Sequence, residues 1–230
     1  MKTSKEIIKK LRSLANPKNI EGMVRFGINP KNALGISVVE IRKIGKEIGK
    51  DHKIAQELWK SGIHEARILA SIVGESEKVT EKQMDKWASG FDSWDVCDQC
   101  CSNLFDKVSF VDKKIRSYAN KKEEFVKRTA FALIACLSVH DKELKDKDFE
   151  KYFKIIKKAS TDERNYVRKA VNWALRQIGK RNKKLNKEAV KVAKDILKTY
   201  KDNKTARWIA NDALRELEAE KIQKRLSFPS

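Results

Sequence analysis

Lys127-Arg128-Thr129-Ala130-Phe131-Ala132 pairs a basic entry with small and apolar residues, and the same make-up returns along the chain. Downstream it returns as Arg168-Lys169-Ala170-Val171-Asn172-Trp173-Ala174 and as Ala206-Arg207-Trp208-Ile209-Ala210. Upstream it returns as Glu65-Ala66-Arg67-Ile68-Leu69-Ala70 and, with an acidic entry, as Trp94-Asp95-Val96-Cys97-Asp98-Gln99. The steps from Arg67 to Asp98, Arg128, Arg168 and Arg207 are 31, 30, 40 and 39 residues, each the length of one helical hairpin. Between them, amphipathic partners are predicted over 81–88, 106–120, 147–158 and 185–201. Prolines stand only at 17, 30 and 229, and most glycines lie before residue 75, so little breaks a helix beyond that point. Apolar residues recur at helical spacing, as in Val167, Ala170, Val171, Ala174 and Leu175. The chain is therefore expected to be all-α, a superhelical array of stacked antiparallel helix pairs (an α-solenoid) forming one domain over 1–230. The first 50 residues add less regular hairpins, with turns at Asn16-Pro17 and Asn29-Pro30 and a helix over 38–49.

Of 230 residues, 52 are Lys or Arg and 32 Asp or Glu, a formal charge of +20. No acidic segment offsets this excess, so the expected partner is a polyanion, nucleic acid above all. The longest apolar run, Ala130 to Leu137, is far short of the roughly 20 residues that cross a bilayer. No secretory leader is read at Met1-Lys2-Thr3-Ser4, and an intracellular, cytoplasmic location is expected. Cys97, Cys100 and Cys101 crowd together without a second ligand pair at zinc spacing. They read, with Cys136, as small apolar fillers of buried helix faces, and neither metal nor other cofactor is expected.

Arg128, Arg164, Arg168, Arg176, Arg181 and Arg207 fall on or beside the repeated helices, where guanidinium groups suit successive phosphates. Lys127 joins Arg164, Arg168, Arg176 and Arg207 as an expected DNA contact. Many lysines, such as those in 142–151, equally well solvate a helix face. No base-reading motif or phosphate loop is present in the sequence, which leaves recognition by shape and backbone charge.

The acidic repeat, Phe91-Asp92-Ser93-Trp94-Asp95-Val96-Cys97-Asp98-Gln99-Cys100, interrupts this basic pattern. Ser93 or Asp92 suits a helix cap, and Asp95 in the first turn suits the helix dipole. Neither reason covers Asp98, which shares a helix face with Trp94 at i and i+4.

Trp94-Asp95-Val96-Cys97-Asp98, then Arg128-Thr129-Ala130, then Trp173 within Lys169-Ala170-Val171-Asn172-Trp173-Ala174-Leu175-Arg176 closely resemble the DNA alkylation repair glycosylases of the HEAT-like repeat type, the AlkD family. Leu58-Trp59 and Glu65-Ala66-Arg67 are similar to its earlier repeats, so the resemblance spans most of the chain. It implies a monofunctional DNA glycosylase acting as a monomer on double-stranded DNA containing alkylated bases. It further implies that Asp98 is the catalytic carboxylate, Trp94 and Trp173 are aromatic walls, and Arg128 binds a phosphate near the lesion. A cationic N3- or N7-alkylpurine already leaves readily, and a carboxylate near C1′ stabilises the oxocarbenium-like sugar and positions water. Indole faces add cation–π contact. The family leaves its lesion in the stack, so no deep base pocket is expected.

Each role has a plainer competitor: a core indole for Trp94 or Trp173, an ion pair with Glu124 for Arg128, a surface carboxylate for Asp98. Trp59, Trp87 and Trp208 read as packing, and His52, His64 and His140 as ordinary histidines. Ser93 directly before Trp94 and the cysteine-rich continuation depart from the family's commoner pattern and bear on lesion range. The alternative to an enzyme is a non-catalytic HEAT-like scaffold that binds DNA or RNA through a basic concave surface.

Overall fold

A computed structural model describes residues 3–227; Met1, Lys2 and Pro229, used above, lie outside the described residues. Among the described residues there are fourteen α-helices, two 3-10 turns and no strand. The chain divides into two compact units, Met1–Val111 and Asp112–Ser230.

The first unit contains α1 (Ser4–Ser13), α2 (Pro17–Arg25), α3 (Val38–Ile48), α4 (His52–Lys60), α5 (His64–Val73), α6 (Glu81–Ser89) and α7 (Trp94–Asn103). Polar side chains start several of them: Ser37 accepts from Glu40 N, Asp51 from Ile54 N at 2.9 Å, and Thr80 from Gln83 N at 3.1 Å. α5 is the central helix, packed against α3, α4 and α7. Ile41, Ile44, Leu58, Leu69, Met84 and Phe105 fill the interior around it and are fully buried. α2 buries none of its residues.

The second unit contains α8 (Val111–Tyr118), α9 (Glu124–His140), α10 (Asp146–Ala159), α11 (Asn165–Gly179), α12 (Lys183–Thr199), α13 (Lys204–Leu217) and α14 (Glu220–Ser227). The small-residue helices stack in sequence order, α9 on α11 and α11 on α13, while α10 and α12 pack beside them. Alanines at 130, 132, 135, 170, 174, 206, 210 and 213 are buried along this stack. Small side chains let helix axes approach closely, which is why this composition recurs at each repeat. Gly179 shows how close the approach is. A Cβ there would meet Leu217 Cδ2 at 2.7 Å and the Ala189 Cβ at 2.9 Å. Gly179→Ala is expected to destabilise the protein by about 1–3 kcal/mol through overpacking, read as a lowered thermal midpoint.

One predicted element is corrected. In place of a single helix over 106–120, the chain makes a 3-10 turn at Phe105–Lys107 and then α8. Val108 between them is extended (φ −79°, ψ 142°), which ends the 3-10 turn, and both Phe105 and Val108 are buried.

Candidate nucleic-acid interface and active site

In the first unit the acidic repeat forms α7. Its three cysteines, Cys97, Cys100 and Cys101, are buried in the core, and burial pushes the Cys100 thiol well up. Trp94 and Asp98 lie on the part of the helix left half-exposed. The Trp94 indole is oriented by donating Nε1–H to the Phe26 carbonyl at 3.1 Å.

The entry to α7 is built differently from the cap read in the sequence. Ser93 occupies the N-cap position but makes no capping bond. Its hydroxyl donates to Asp95 Oδ1 at 2.6 Å and accepts from Asn29 N at 3.3 Å. Asp92 instead pairs with Arg67 at 3.3 Å and accepts from Asn29 Nδ2 at 3.2 Å. Asp95, read as a partner for the helix dipole, also bonds the buried His64 Nε2 through Oδ2 at 2.8 Å.

Burial works against the charged form of His64, but the Asp95 hydrogen bond and the charges of Asp95, Glu65 and Asp92 outweigh it, and the imidazole pKa is raised. Burial likewise opposes the Asp95 carboxylate, and His64, Ser93 and the Val96 N–H reverse the balance, lowering its pKa. The His64 contribution to stability is complete below the unfolded value of about 6.5 and disappears as pH rises through the raised folded value. The Asp95 contribution is present above about 3.9 and disappears as pH falls through its lowered folded value. His64→Gln should therefore destabilise more at pH about 5.5 than at about 8.5, a difference that urea titrations of both proteins at the two pH values will read.

The second unit carries the other predicted residues. Arg128, on α9, is only 5% exposed and donates from Nη1 to the Tyr166 carbonyl at 2.6 Å. Glu124, its foreseen competitor partner, accepts from Tyr166 N at 3.2 Å, and Phe125 stacks on the Tyr166 ring, so the start of α9 braces the start of α11. Lys127 and Arg164 converge on one carboxylate: Asp162 Oδ2 lies 2.8 Å from Lys127 Nζ and 2.6 Å from Arg164 Nη2. Burial raises the Asp162 pKa, but these two cations more than offset it and hold the carboxyl far below its usual range. Arg176 pairs with Glu216 and sits 3.7 Å from Asp212. Trp173 is half-buried on α11, and Arg207 is exposed on α13.

Trp208 marks another correction: it is 39% exposed instead of packed, and the Arg168 guanidinium lies over its ring, 5.1 Å from the centroid. Helical spacing contained that information, since Ala206, Ile209, Ala210 and Ala213 form the buried stripe and position 208 lies off it. Trp59 and Trp87 are packed as read, their rings stacked at 4.2 Å. Asp162 and the His64–Asp95 pair gave no sequence signal, because each depends on a partner 31 to 35 residues away.

Sequential stacking of equivalent helices defines a HEAT-like repeat protein. The fold is similar to the solved structure of a protein from a family related to the HEAT-like repeat DNA glycosylases with affinity for branched DNA structures. The TM-score is 0.79 at 17% identity, over 98% of this chain and 97% of that one. The sequence pattern of the family described as DNA alkylation repair enzyme matches residues 7–217, and the chain belongs to that family. A designed armadillo repeat protein in complex with the peptide (KR)4 aligns at 14% identity and a TM-score of 0.35, over 81% of this chain and 88% of that one. No curated protein sequence matches this chain significantly.

Proposed function

We propose that the protein is a monofunctional DNA glycosylase that hydrolyses the N-glycosidic bond of cationic N3- and N7-alkylated purines in duplex DNA. The observation that carries this reading is the half-open face of α7, where Asp98 and Trp94 lie one turn apart with the cysteines turned inward. In the proposed reaction the C1′–N bond breaks with its electron pair going to the alkylated base, whose positive charge is thereby neutralised. Asp98 stabilises the oxocarbenium-like sugar and orients the water whose oxygen bonds C1′ as one of its protons passes to the carboxylate and on to solvent. Trp94 and Trp173 serve as aromatic contacts to the nucleotide and Arg128 as a phosphate ligand, roles taken from the family resemblance. Lys127, Arg164, Arg168, Arg176 and Arg207 are proposed contacts to the DNA backbone. Incubation with methylated duplex DNA should release 3-methyladenine or 7-methylguanine and leave abasic sites; no release at stoichiometric protein rejects the enzymatic reading.

A second reading is a DNA-binding scaffold without chemistry, favoured by the +20 charge and by the fold shared with a protein that has affinity for branched DNA. It predicts tighter binding to a four-way junction than to duplex and no abasic product. On either reading binding is electrostatic. Engagement of about four to six phosphates implies a log–log salt slope of about −4 to −5, measured by fluorescence anisotropy of labelled DNA.

A further inference from the structure

In the first unit, a cavity of about 250 Å³ opens between α4 and α6. Its inner wall is the Trp59–Trp87 pair, parallel to within 6° and exposed only at the rims, 7% and 3%. Four ammonium groups, Lys60, Lys78, Lys82 and Lys86, line it, and no carboxylate does. Lys78 pairs with Glu75, but Lys60, Lys82 and Lys86 make no ion pair with any described residue. Gathering like charges is unfavourable within a Debye length, and an anion placed among them removes that repulsion.

Gln83, on the same wall, supplies a second and independent sign. Its Oε1 meets His52 Nε2 at 2.9 Å, while its Nε2 is buried with no hydrogen-bond partner, as is His52 Nδ1. Buried amide donors are rarely left without an acceptor, so the cleft wall carries hydrogen-bonding capacity that the fold itself does not use. A bare phosphate takes up only a fraction of this space, which equals about eight water volumes. The remaining wall is the two indoles with Gln56 and Thr80, suited to a flat group with polar edges.

We propose that the cleft between α4 and α6 binds a nucleotide, its phosphate among Lys60, Lys82 and Lys86 and its base along the rims of Trp59 and Trp87. None of these residues belongs to the lesion-handling set, so the inference stands apart from the proposed glycosylase reaction. The nucleotide is either free or the phosphorylated end of a strand, and the two sources are separable. The full chain is titrated calorimetrically with dAMP, with inorganic phosphate, and with single-stranded oligonucleotides bearing a 5′-phosphate or a 5′-hydroxyl.

Saturable binding of dAMP identifies a free nucleotide; preference for the 5′-phosphorylated oligonucleotide identifies a strand end. In either case Lys82→Glu with Lys86→Glu should weaken binding at least tenfold. Gln83→Leu, which keeps every charge, should weaken it severalfold and serves if the double variant fails to fold by circular dichroism. No saturable binding, equal affinity for inorganic phosphate, or binding indifferent to these substitutions overturns the proposal.

Discussion

Asp98→Asn is expected to lower release of 3-methyladenine from methylated duplex DNA by a factor of about 100 to 1,000, the loss typical of removing one electrostatic stabiliser of a transition state. Asparagine keeps the shape of the side chain and removes its charge. It therefore still fits the α7 face beside Trp94 but no longer compensates a cationic sugar. Duplex affinity should change less than threefold and, if anything, rise, because the exchange deletes a negative charge on the proposed DNA-binding face. Single-turnover release with quantified DNA binding separates the two effects. Unchanged release in this variant rules out the assigned role of the carboxylate, whereas parallel loss of release and binding reduces Asp98 to a structural group.

The largest expected stability effect belongs to Glu65, on α5. Its side chain has no solvent exposure and accepts the backbone N–H groups of Leu34 at 2.8 Å, Gly35 at 2.7 Å and Ile36 at 3.3 Å. The loop that enters α3 is thus wrapped around a carboxylate. Gly35 is part of the same device: its φ is +76°, and a Cβ would lie 2.2 Å from the Asn16 carbonyl oxygen. Glu65→Ala strands three backbone donors and should cost about 3–5 kcal/mol, seen as a lower urea midpoint with an unchanged slope. Glu65→Gln retains one acceptor oxygen but turns an NH₂ group toward donors, so an intermediate loss is expected.

Repetition made the fold legible. Small residues at 30- to 40-residue spacing announce α5, α7, α9, α11 and α13, and the charged remainder announces their solvent faces. The break near Val108 was not legible, because Phe105, Val108, Val111, Ile115 and Tyr118 keep helical spacing through it and no Pro or Gly marks it. In the candidate site, Trp94 and Asp98 were readable as a pair because both stand on one helix. The roles of Glu65, His64 and Asp162 were not, since each carboxylate or imidazole is defined by groups two helices away. Glu65 in particular was read only as a repeat entry residue, its charge giving no hint that it would be enclosed.

Asp162 changes what the nominal charge of the second unit means. Lys127 and Arg164 already have an anion between them. If these two cations hold the DNA backbone as proposed, the incoming phosphate must compete with that resident counter-ion. Simple buffer anions are poor rivals to a tethered one, and a polyanion, which brings many groups at once, is a strong rival. Such an arrangement keeps a strongly basic surface from clinging to every small anion it meets.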